Sequence, residues 1–247
     1  QARTEDSHQE EAPVGIPPVT HTLLQGIVGS TAYGLAGPDS DVDQLGIYLA
    51  PIDSVLGLGG PEAVQDSRVT HDPDLTLHEL GKYLSLALRC NPTVLELMWL
   101  PSYTVETEEG TALIAQRGYF LSEKYVRNAY GGYAKQQADR LVQRHSEGKD
   151  GFSSDIRKRT AKHARHCMRL LIQGEELLKF GEITINVSEH RDLLFEVGKI
   201  ASEDPAAFYR IFEAAIDEFN KTASILPDQP DREKINSFLV KVRKGQV

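Results

Sequence analysis

The stretch of sequence that decides the fold is residues 29–48, GSTAYGLAGPDSDVDQLGIY. A short apolar run, residues 23–28, precedes this stretch and predicts a strand that ends at Gly29 and Ser30. A second apolar run, residues 42–49, predicts another strand, and Gly and Pro residues mark the connection between the two. The sequence therefore predicts two strands, with a Gly-Ser turn after the first and Ser-Asp-Val-Asp opening the second.

Asp41 and Asp43 stand two residues apart where the second predicted strand begins. If residues 41–49 form a strand, its period of two places both carboxylates on one face. Carboxylates so placed repel each other, and hard divalent cations such as Mg²⁺ relieve that repulsion. Gly29 and Ser30 can offer backbone N–H groups and a hydroxyl to phosphate oxygens, because glycine lets a ligand approach the backbone closely. The combination predicts a phosphate grip beside a two-metal clamp, which suits attack of a hydroxyl on a nucleoside triphosphate.

Each of these two features also has a structural interpretation. A Gly-Ser pair after a strand is usually only a turn, and a D-x-D sequence is often part of a solvated strand or loop. Their conjunction, with ten residues between Ser30 and Asp41, is much rarer by chance. We therefore expect a functional site at this place.

The remaining pattern predicts a small α/β part followed by a helical part. Alternation at residues 75–77 predicts a third strand that passes into a helix at residues 79–89. From residue 107 onward apolar residues recur every three to four positions, except in a β-branched run at residues 183–187. The predicted helical segments are residues 107–145, 153–180, 189–200, 204–224 and 231–245. We expect a disordered tail at 1–18, an α/β core at 19–106, a helical domain at 107–247, and a mobile loop at 146–154.

The composition excludes several classes of protein. Of 247 residues, 26% are charged and 40% hydrophobic, and no apolar run reaches the ~18 residues of a membrane helix. Cys90 and Cys167 lie far apart, which excludes a disulfide framework and a Cys-rich zinc site. Since nothing marks the chain for export, we expect a cytoplasmic protein with no membrane partner.

The formal charge of -9 conceals a segregation along the chain. Residues 1–110 carry 4 Lys and Arg against 17 Asp and Glu, whereas residues 111–169 carry 13 against 5. An acidic first half and a basic middle would suit a protein that holds metal ions in one part and a polyanion in the other. The alternative is a helical region with a solvated basic face.

Within the basic segment, Lys158, Lys162, Arg165 and Arg169 have the spacing of one helix stripe, with His166 beside it. A surface stripe could tolerate the mutual repulsion in salt. We favour a stripe that faces the cleft, where Lys162 and Arg169 meet a triphosphate. The residues predicted to contact the phosphates of an acceptor are Arg157, Lys158, Arg159 and Arg165.

The Gly-Ser and Asp-Val-Asp arrangement resembles the DNA-polymerase-beta-like nucleotidyltransferase superfamily. It is closest to the RNA-repair-associated (RlaP-type) branch, with the pattern G-S-x-A-Y-G followed by S-D-x-D-x-x-G-I-Y. Residues 91–97 resemble the N-P-x-x-L-E-x-L segment of that branch. Residues 162–171, 174–178 and 181–183 resemble its K-H-x-x-H-x-x-R-L-L, G-x-E-L-L and G-x-I segments. The resemblance covers roughly residues 22–200.

The resemblance implies a mixed-sheet nucleotidyltransferase core, an α-helical C-terminal domain, and transfer of a nucleoside monophosphate to a hydroxyl. It implies two Mg²⁺ ions, with Mn²⁺ as the alternative, held by Asp41, Asp43 and a third carboxylate. Asp74 is our choice for the third, with Asp72 and Glu79 left open. Tyr33 is predicted either to stack on the nucleotide or to anchor packing. The nucleotide-binding residues are then predicted to be Gly29, Ser30, Tyr33, Ser40, Lys162, His166 and Arg169.

The expected substrates are a nucleoside triphosphate and an RNA or tRNA 3′ end, in RNA repair. Two alternatives remain open at this point. The first is transfer of AMP to a protein, as in antitoxin-like relatives, or to a small molecule. The second is a catalytically silent module that only binds nucleotide.

Overall fold

The computed structural model of the protein describes residues 21–38, 40–58, 64, 66–147 and 154–245. The predicted tail at residues 1–18 lies outside the described residues. So does most of the predicted mobile loop at residues 146–154.

A mixed sheet forms the first part of the fold, as predicted. Within the described residues its strand order is β3-β4-β2-β1-β5. The β2–β4 pair is parallel, and the β1–β2, β1–β5 and β3–β4 pairs are antiparallel. The strands are β1 (Thr22–Ile27), β2 (Gln44–Tyr48), β3 (Ser67–His71), β4 (Asp74–Glu79) and β5 (Val105–Glu106).

The prediction of a strand over residues 41–49 was wrong at its start. Strand β2 begins at Gln44, its first residue that pairs with β1, and the partner of Gln44 there is Ile27. Asp41 and Asp43 therefore precede the strand and do not follow its period of two. The sequence also missed β3 and β5, because β3 has a single large apolar residue, Val69, and β5 is only two residues long.

Helices cover most of the second part of the chain, again as predicted. The predicted segment 107–145 is nevertheless broken, because Ser122 has an extended backbone and its hydroxyl accepts from the N–H of Tyr125, which starts a new helix. The helices before this break are α1 (Gly29–Ala32), α2 (Ile52–Leu56), α3 (Leu80–Ala87), α4 (Pro92–Leu95) and α5 (Glu108–Ile114). Those after it are α6 (Glu123–Val126), α7 (Tyr133–Glu147), α8 (Ser154–Phe180), α9 (Arg191–Glu203), α10 (Pro205–Lys221) and α11 (Arg232–Lys244).

Short 3₁₀ and π segments complete the helical part. A π-helix at Arg127–Gly132 connects α6 to α7. The 3₁₀ segments lie at Glu96–Trp99, Arg117–Phe120 and Ser188–His190. The β-branched run at 183–187 buries alternate residues, but it is not assigned to a strand, although all of it is described.

The hydrophobic core extends from the sheet into the helices. The larger cluster of buried side chains in the described part contains Leu24 and Ile47 of the sheet together with Phe212 of α10. The C-terminal helix joins the sheet through Arg243, whose Nη2 lies 3.1 Å from Oε1 of Glu79. The division into domains at residues 106 and 107 stays a prediction. No helix in the described ranges combines the length and the apolar character needed to span a bilayer.

Candidate active site

The Gly-Ser turn opens helix α1 and lies against the residue that precedes β2. Gly29 has a φ of +68°, a conformation that L-residues with side chains rarely adopt. A Cβ atom at this position would collide with Oδ2 of Asp43. The backbone N–H of Val28 donates to the carbonyl of Asp43 at 2.9 Å. Glycine at position 29 therefore brings the turn into direct contact with an acidic side chain.

Asp43 and Asp74 lie near each other at the N-terminal ends of the neighbouring strands β2 and β4. Each comes directly before a paired residue of two parallel neighbours, since Gln44 of β2 pairs with Leu75 of β4. Burial raises the pKa of the half-buried Asp43, and the charges of Asp74 and Asp41 raise it further. Lys162 acts in the opposite direction. The parallel register thus assembles a carboxylate pair whose repulsion a cation would relieve.

The other candidate carboxylates lie in different surroundings. Asp41 is exposed and does not share a strand face with Asp43, which corrects the prediction. Glu79 lies at the far end of β4, where its carboxylate accepts from the N–H of Gly81 and pairs with Arg243. Asp72 is exposed in the turn before β4. Of the three residues considered for the third carboxylate, Asp74 is the one whose charge acts on Asp43.

The carboxylates do not form a complete metal cage by themselves. Among residues 21–38, 40–58, 64, 66–147 and 154–245, no group of three or more His, Cys, Asp or Glu side chains is placed to hold a metal ion. Any cation here would take part of its coordination shell from water or from a substrate.

Two adjacent cavities meet at this carboxylate pair, and both are lined by Gly29, Tyr33 and Asp43. The basic cavity, of about 250 Å³, is further lined by Ser30, Leu35, Ser40, Lys162, Arg165, His166 and Arg169. The acidic cavity, of about 280 Å³, is further lined by Val28, Gln44, Leu45, Asp74, Thr76, His78, Thr93, Val94 and Glu96. The site therefore has a cationic side and an anionic side, with Asp43 between them.

Helix α8 supplies the cations of the basic cavity. Three members of the predicted stripe, Lys162, Arg165 and Arg169, line it, as does His166. The fourth, Lys158, is exposed one turn earlier and lines neither cavity. The same holds for Arg157 and Arg159, and Asp41 also lines neither cavity.

Arg169 lies at the buried end of the stripe rather than on a solvated surface. Its guanidinium lies 3.7 Å from the ring centroid of Tyr33, and it donates to Oε1 of Gln173. Its Nη2 is 3.1 Å from Nδ1 of His166. Because a guanidinium only donates, Nδ1 accepts and the imidazole proton is on Nε2. Burial and the charge of Arg169 lower the pKa of His166 to about 3, so this histidine is a neutral donor.

The sequence model of a protein family, the RNA repair pathway DNA polymerase beta family (RlaP), matches residues 3–241 of this chain. The chain belongs to this family. This match confirms the family, the RNA-repair branch of the polymerase-beta-like nucleotidyltransferases, that the motifs at residues 29–48, 91–97 and 162–183 predicted. Among solved structures, the chain is similar to a nucleotidyltransferase-like protein from Exiguobacterium sibiricum, with 14% identity over 81% of this chain and 70% of that one, and a TM-score of 0.33. No curated protein matches the chain.

Glu96 is a buried carboxylic acid beside this site. Sequence reasoning did not predict that Glu96 belongs to the site. The hydroxyl of Tyr33 donates to both carboxylate oxygens, at 2.7 and 2.9 Å, and Nη1 of Arg169 lies 3.9 Å from Oε2. Burial raises the pKa of Glu96 to about 7. One available signal was a glutamate between Leu95 and Leu97, because an acid inside an apolar run is often a partnered buried group.

The contacts of Tyr33 favour packing over stacking on a nucleotide. Arg169 lies against its ring, and Glu96 accepts from its hydroxyl. The ring is 9% exposed. Tyr33 therefore connects helix α8 to the segment that follows α4.

Arg191 and Phe195 of α9 also lie near this site, and sequence reasoning missed both. Nη1 of Arg191 donates to the carbonyl of Gly34 at 2.7 Å. The guanidiniums of Arg165 and Arg191 lie 4.6 and 4.5 Å from the ring centroid of Phe195. The i, i+4 spacing of Arg191 and Phe195 gave only the signal of a shared helix face.

Proposed function

We propose that the protein is a Mg²⁺-dependent nucleotidyltransferase that transfers a nucleoside monophosphate from a nucleoside triphosphate to the 3′ hydroxyl of an RNA, tRNA included. The observation that carries the proposal is the contact of the Gly29 turn with Asp43, at the junction of a basic and an acidic cavity. The family supplies the RNA-repair context. Neighbouring phosphate-binding and carboxylate groups are the parts that hydroxyl attack on a triphosphate needs.

Asp43 and Asp74 fit a hard divalent cation. Both offer oxygen atoms, and their mutual charge raises the pKa of Asp43. Mg²⁺ keeps several waters and is usually bound by one or two carboxylates together with substrate phosphates, so a third protein ligand is not required. Mn²⁺ accepts the same donors. When bound, such ions lower the pKa of the attacking hydroxyl and neutralise the leaving pyrophosphate.

The basic cavity suits the phosphates of the nucleotide. Lys162 and the neutral Nε2–H donor of His166 would bind phosphate oxygens together with the Ser30 hydroxyl. The cavity volume of about 250 Å³ lies below the ~300–1,000 Å³ of pockets that enclose a whole ligand. We therefore place the phosphates inside it and the nucleoside at its mouth.

The acidic cavity suits the acceptor hydroxyl. Asp74 repels phosphate groups, so a triphosphate is directed to the other side of Asp43. A neutral hydroxyl pays no such electrostatic penalty and can approach Asp43 and Asp74. This polarity orients the two substrates for attack in one direction.

The proposal is tested with an α-labelled nucleoside triphosphate, Mg²⁺, and an RNA with a free 3′ hydroxyl. We expect label on this RNA and none on the same RNA with a 3′ phosphate. Asp43→Asn and Asp74→Asn should each reduce labelling at least ~100-fold, since each removes a ligand charge beside the reacting groups. Asp192→Asn, an exposed carboxylate on α9, is the matched control and should retain full labelling.

Other outcomes of the same assay separate the alternatives. Label on protein but never on RNA would contradict the RNA acceptor and support AMP transfer to protein. Nucleotide binding without release of pyrophosphate would instead identify a silent nucleotide-binding module. All four triphosphates should be compared, because base choice depends on the mouth of the basic cavity.

A further inference from the structure

Two arginines share one aromatic ring at the basic cavity. Arg165 of α8 and Arg191 of α9 both lie against Phe195, with guanidinium carbons 4.6 and 4.5 Å from the ring centroid. Arg165 lines the basic cavity directly. Two cations are therefore held against the same ring beside the proposed nucleotide site, close enough for the charge of Arg191 to lower the pKa of Arg165, which burial lowers as well. We call Arg165, Arg191 and Phe195 the arginine pair site.

The backbone around the arginine pair site is built to hold these side chains in place. Gly198 has no side chain, and a Cβ atom there would lie 3.0 Å from Nη1 of Arg165, so the glycine makes room for that guanidinium against α9. Arg191 donates to the carbonyl of Gly34, which follows the Gly-Ser turn by four residues. The pair is thus attached both to the helical part and to the loop that follows α1.

Arg165 and Arg191 have no carboxylate partner among the residues that the structure describes. Burial and the charge of Arg191 lower the pKa of Arg165, but a guanidinium remains protonated. Adjacent half-buried cations without a counterion favour an anion with several acceptor oxygens.

The other cations of the basic cavity act on other groups. Lys162 acts on Asp43, and Arg169 acts on Glu96. The charge of Arg165 is not among the influences on the pKa of either carboxyl group, so we assign Arg165 to a phosphate that lies farther from Asp43. An RNA backbone would more readily meet Arg157 and Arg159, which are exposed near the N-terminal end of α8.

We propose that the arginine pair site binds the terminal phosphate of the nucleoside triphosphate and so distinguishes triphosphates from diphosphates. The inference rests on the proposed function, because it assumes that the basic cavity receives the nucleotide phosphates. The transferred phosphate lies at Asp43 and Asp74, and the terminal phosphate is bound by the two guanidiniums. Phe195 holds both planes in place and keeps water from one side of each.

The test is calorimetric binding of a nucleoside triphosphate and of the corresponding nucleoside diphosphate, with Mg²⁺, to the full chain. Arg165→Gln and Arg191→Gln should each weaken triphosphate binding about tenfold and leave diphosphate binding within about twofold, because the diphosphate lacks the terminal phosphate. Lys199→Gln removes an exposed charge two turns along α9 and should change neither affinity. Arg165→Gln leaves the Arg191 bond to Gly34 intact, so it separates anion binding from anchoring of the loop. Thermal unfolding of each variant identifies any that fail to fold.

Each outcome decides a different point. Equal losses for nucleoside triphosphate and nucleoside diphosphate, or a loss with Arg191→Gln alone, would overturn the terminal-phosphate site. A loss confined to binding of a single-stranded RNA would also overturn it and assign the pair to the acceptor. If triphosphate binding depends on Arg165 and Arg191 but the protein transfers no nucleotide, the arginine pair site stands and the proposed function is overturned. If the wild-type chain binds neither anion, both proposals fail.

Discussion

Gly29 shows how one residue connects the sequence motif to the geometry of the site. Its φ of +68° and its contact with Asp43 both exclude a side chain. We predict that Gly29→Ala lowers the free energy of unfolding by about 1–2 kcal/mol, because alanine must adopt a left-handed conformation. It should also lower nucleotide transfer at least ~10-fold, because the new methyl group displaces the Asp43 carboxylate.

The measurements are urea unfolding and the labelling assay with RNA. Gly118→Ala is the control, because a Cβ atom at Gly118 meets nothing within 4 Å. A Gly29→Ala protein with full transfer activity would show that the contact between the turn and Asp43 is unimportant.

Glu96 makes stability depend on pH. Its pKa is raised in the folded protein to about 7 from an ordinary value of 4.5. Its contribution to stability is therefore fully present below pH 4.5 and is lost as the pH rises through about 7. Between pH 5 and pH 8 we predict that the unfolding free energy of the wild type falls by roughly 2–3 kcal/mol relative to Glu96→Gln.

Chemical unfolding of both proteins across this range checks the prediction. His166, whose pKa is lowered, titrates in the opposite sense, but it is present in both proteins, so the difference isolates Glu96. Glu203→Gln, an exposed carboxylate on α9, should follow the wild type at every pH. Parallel curves for wild type and Glu96→Gln would contradict the raised pKa.

At the scale of residues, the sequence predicted local contacts better than distant ones. Gly29, Ser30 and Asp43 were found because their signal lies within one short motif. Glu96 is 63 positions from its partner Tyr33, and Arg191 is 157 positions from Gly34, so no local pattern could pair them.

At the scale of elements, helical periodicity was the most reliable signal. The predicted segment 153–180 corresponds to α8, Ser154–Phe180, and its basic stripe has three members at the cavity. Strand ends were less predictable, since β2 begins where its pairing with β1 begins rather than where apolar residues begin. Burial at residues 183–187 alternates as in a strand, yet the run is assigned to none, because alternation reports packing and not hydrogen bonding.

Close packing of α8 gives a prediction at this scale. A Cβ atom at Gly174 would lie 2.7 Å from Cβ of Tyr130 and 2.9 Å from a ring carbon of Phe219. Alanine in a helix would ordinarily gain up to about 1 kcal/mol over glycine, but overpacking costs about 1–3 kcal/mol, and the backbone of Tyr130 cannot easily move. We therefore predict that Gly174→Ala lowers the free energy of unfolding by about 1–2 kcal/mol.

The urea midpoint measures the effect of this change. Gly132→Ala is the matched control, since a Cβ atom there meets nothing within 4 Å and its effect should be neutral or stabilising. A Gly174→Ala protein with a higher free energy of unfolding than the wild type would show that α8 and the segment around Tyr130 can move apart without a loss of stability.

At the scale of the whole molecule, the charge segregation of the sequence becomes a polarity of the site. Residues 1–110 supply Asp43, Asp74 and Glu96, and the basic segment 111–169 supplies the cations of α8. Composition could predict that two signs of charge exist but not that they meet at Asp43, since that depends on how the folded chain brings α8 to the cavity beside Gly29 and Asp43. The acidic part of the molecule repels an RNA that approaches it. The exposed cations of α8, Arg157, Lys158 and Arg159, attract the RNA.

This polarity predicts how RNA binding depends on salt. Each phosphate contact with single-stranded RNA contributes about 0.7 to the slope of log affinity against log salt concentration. Replacing Arg157, Lys158 and Arg159 together by alanine should therefore reduce that slope by about 2 and leave binding of free triphosphate unchanged, because these exposed side chains line neither cavity. Affinities measured by fluorescence anisotropy at several salt concentrations give the slope, with Arg210→Ala as an exposed control on α10. An unchanged slope in the triple variant would mean that RNA reaches the carboxylates by another face, and the prediction that Arg157, Lys158 and Arg159 contact the acceptor phosphates would be wrong.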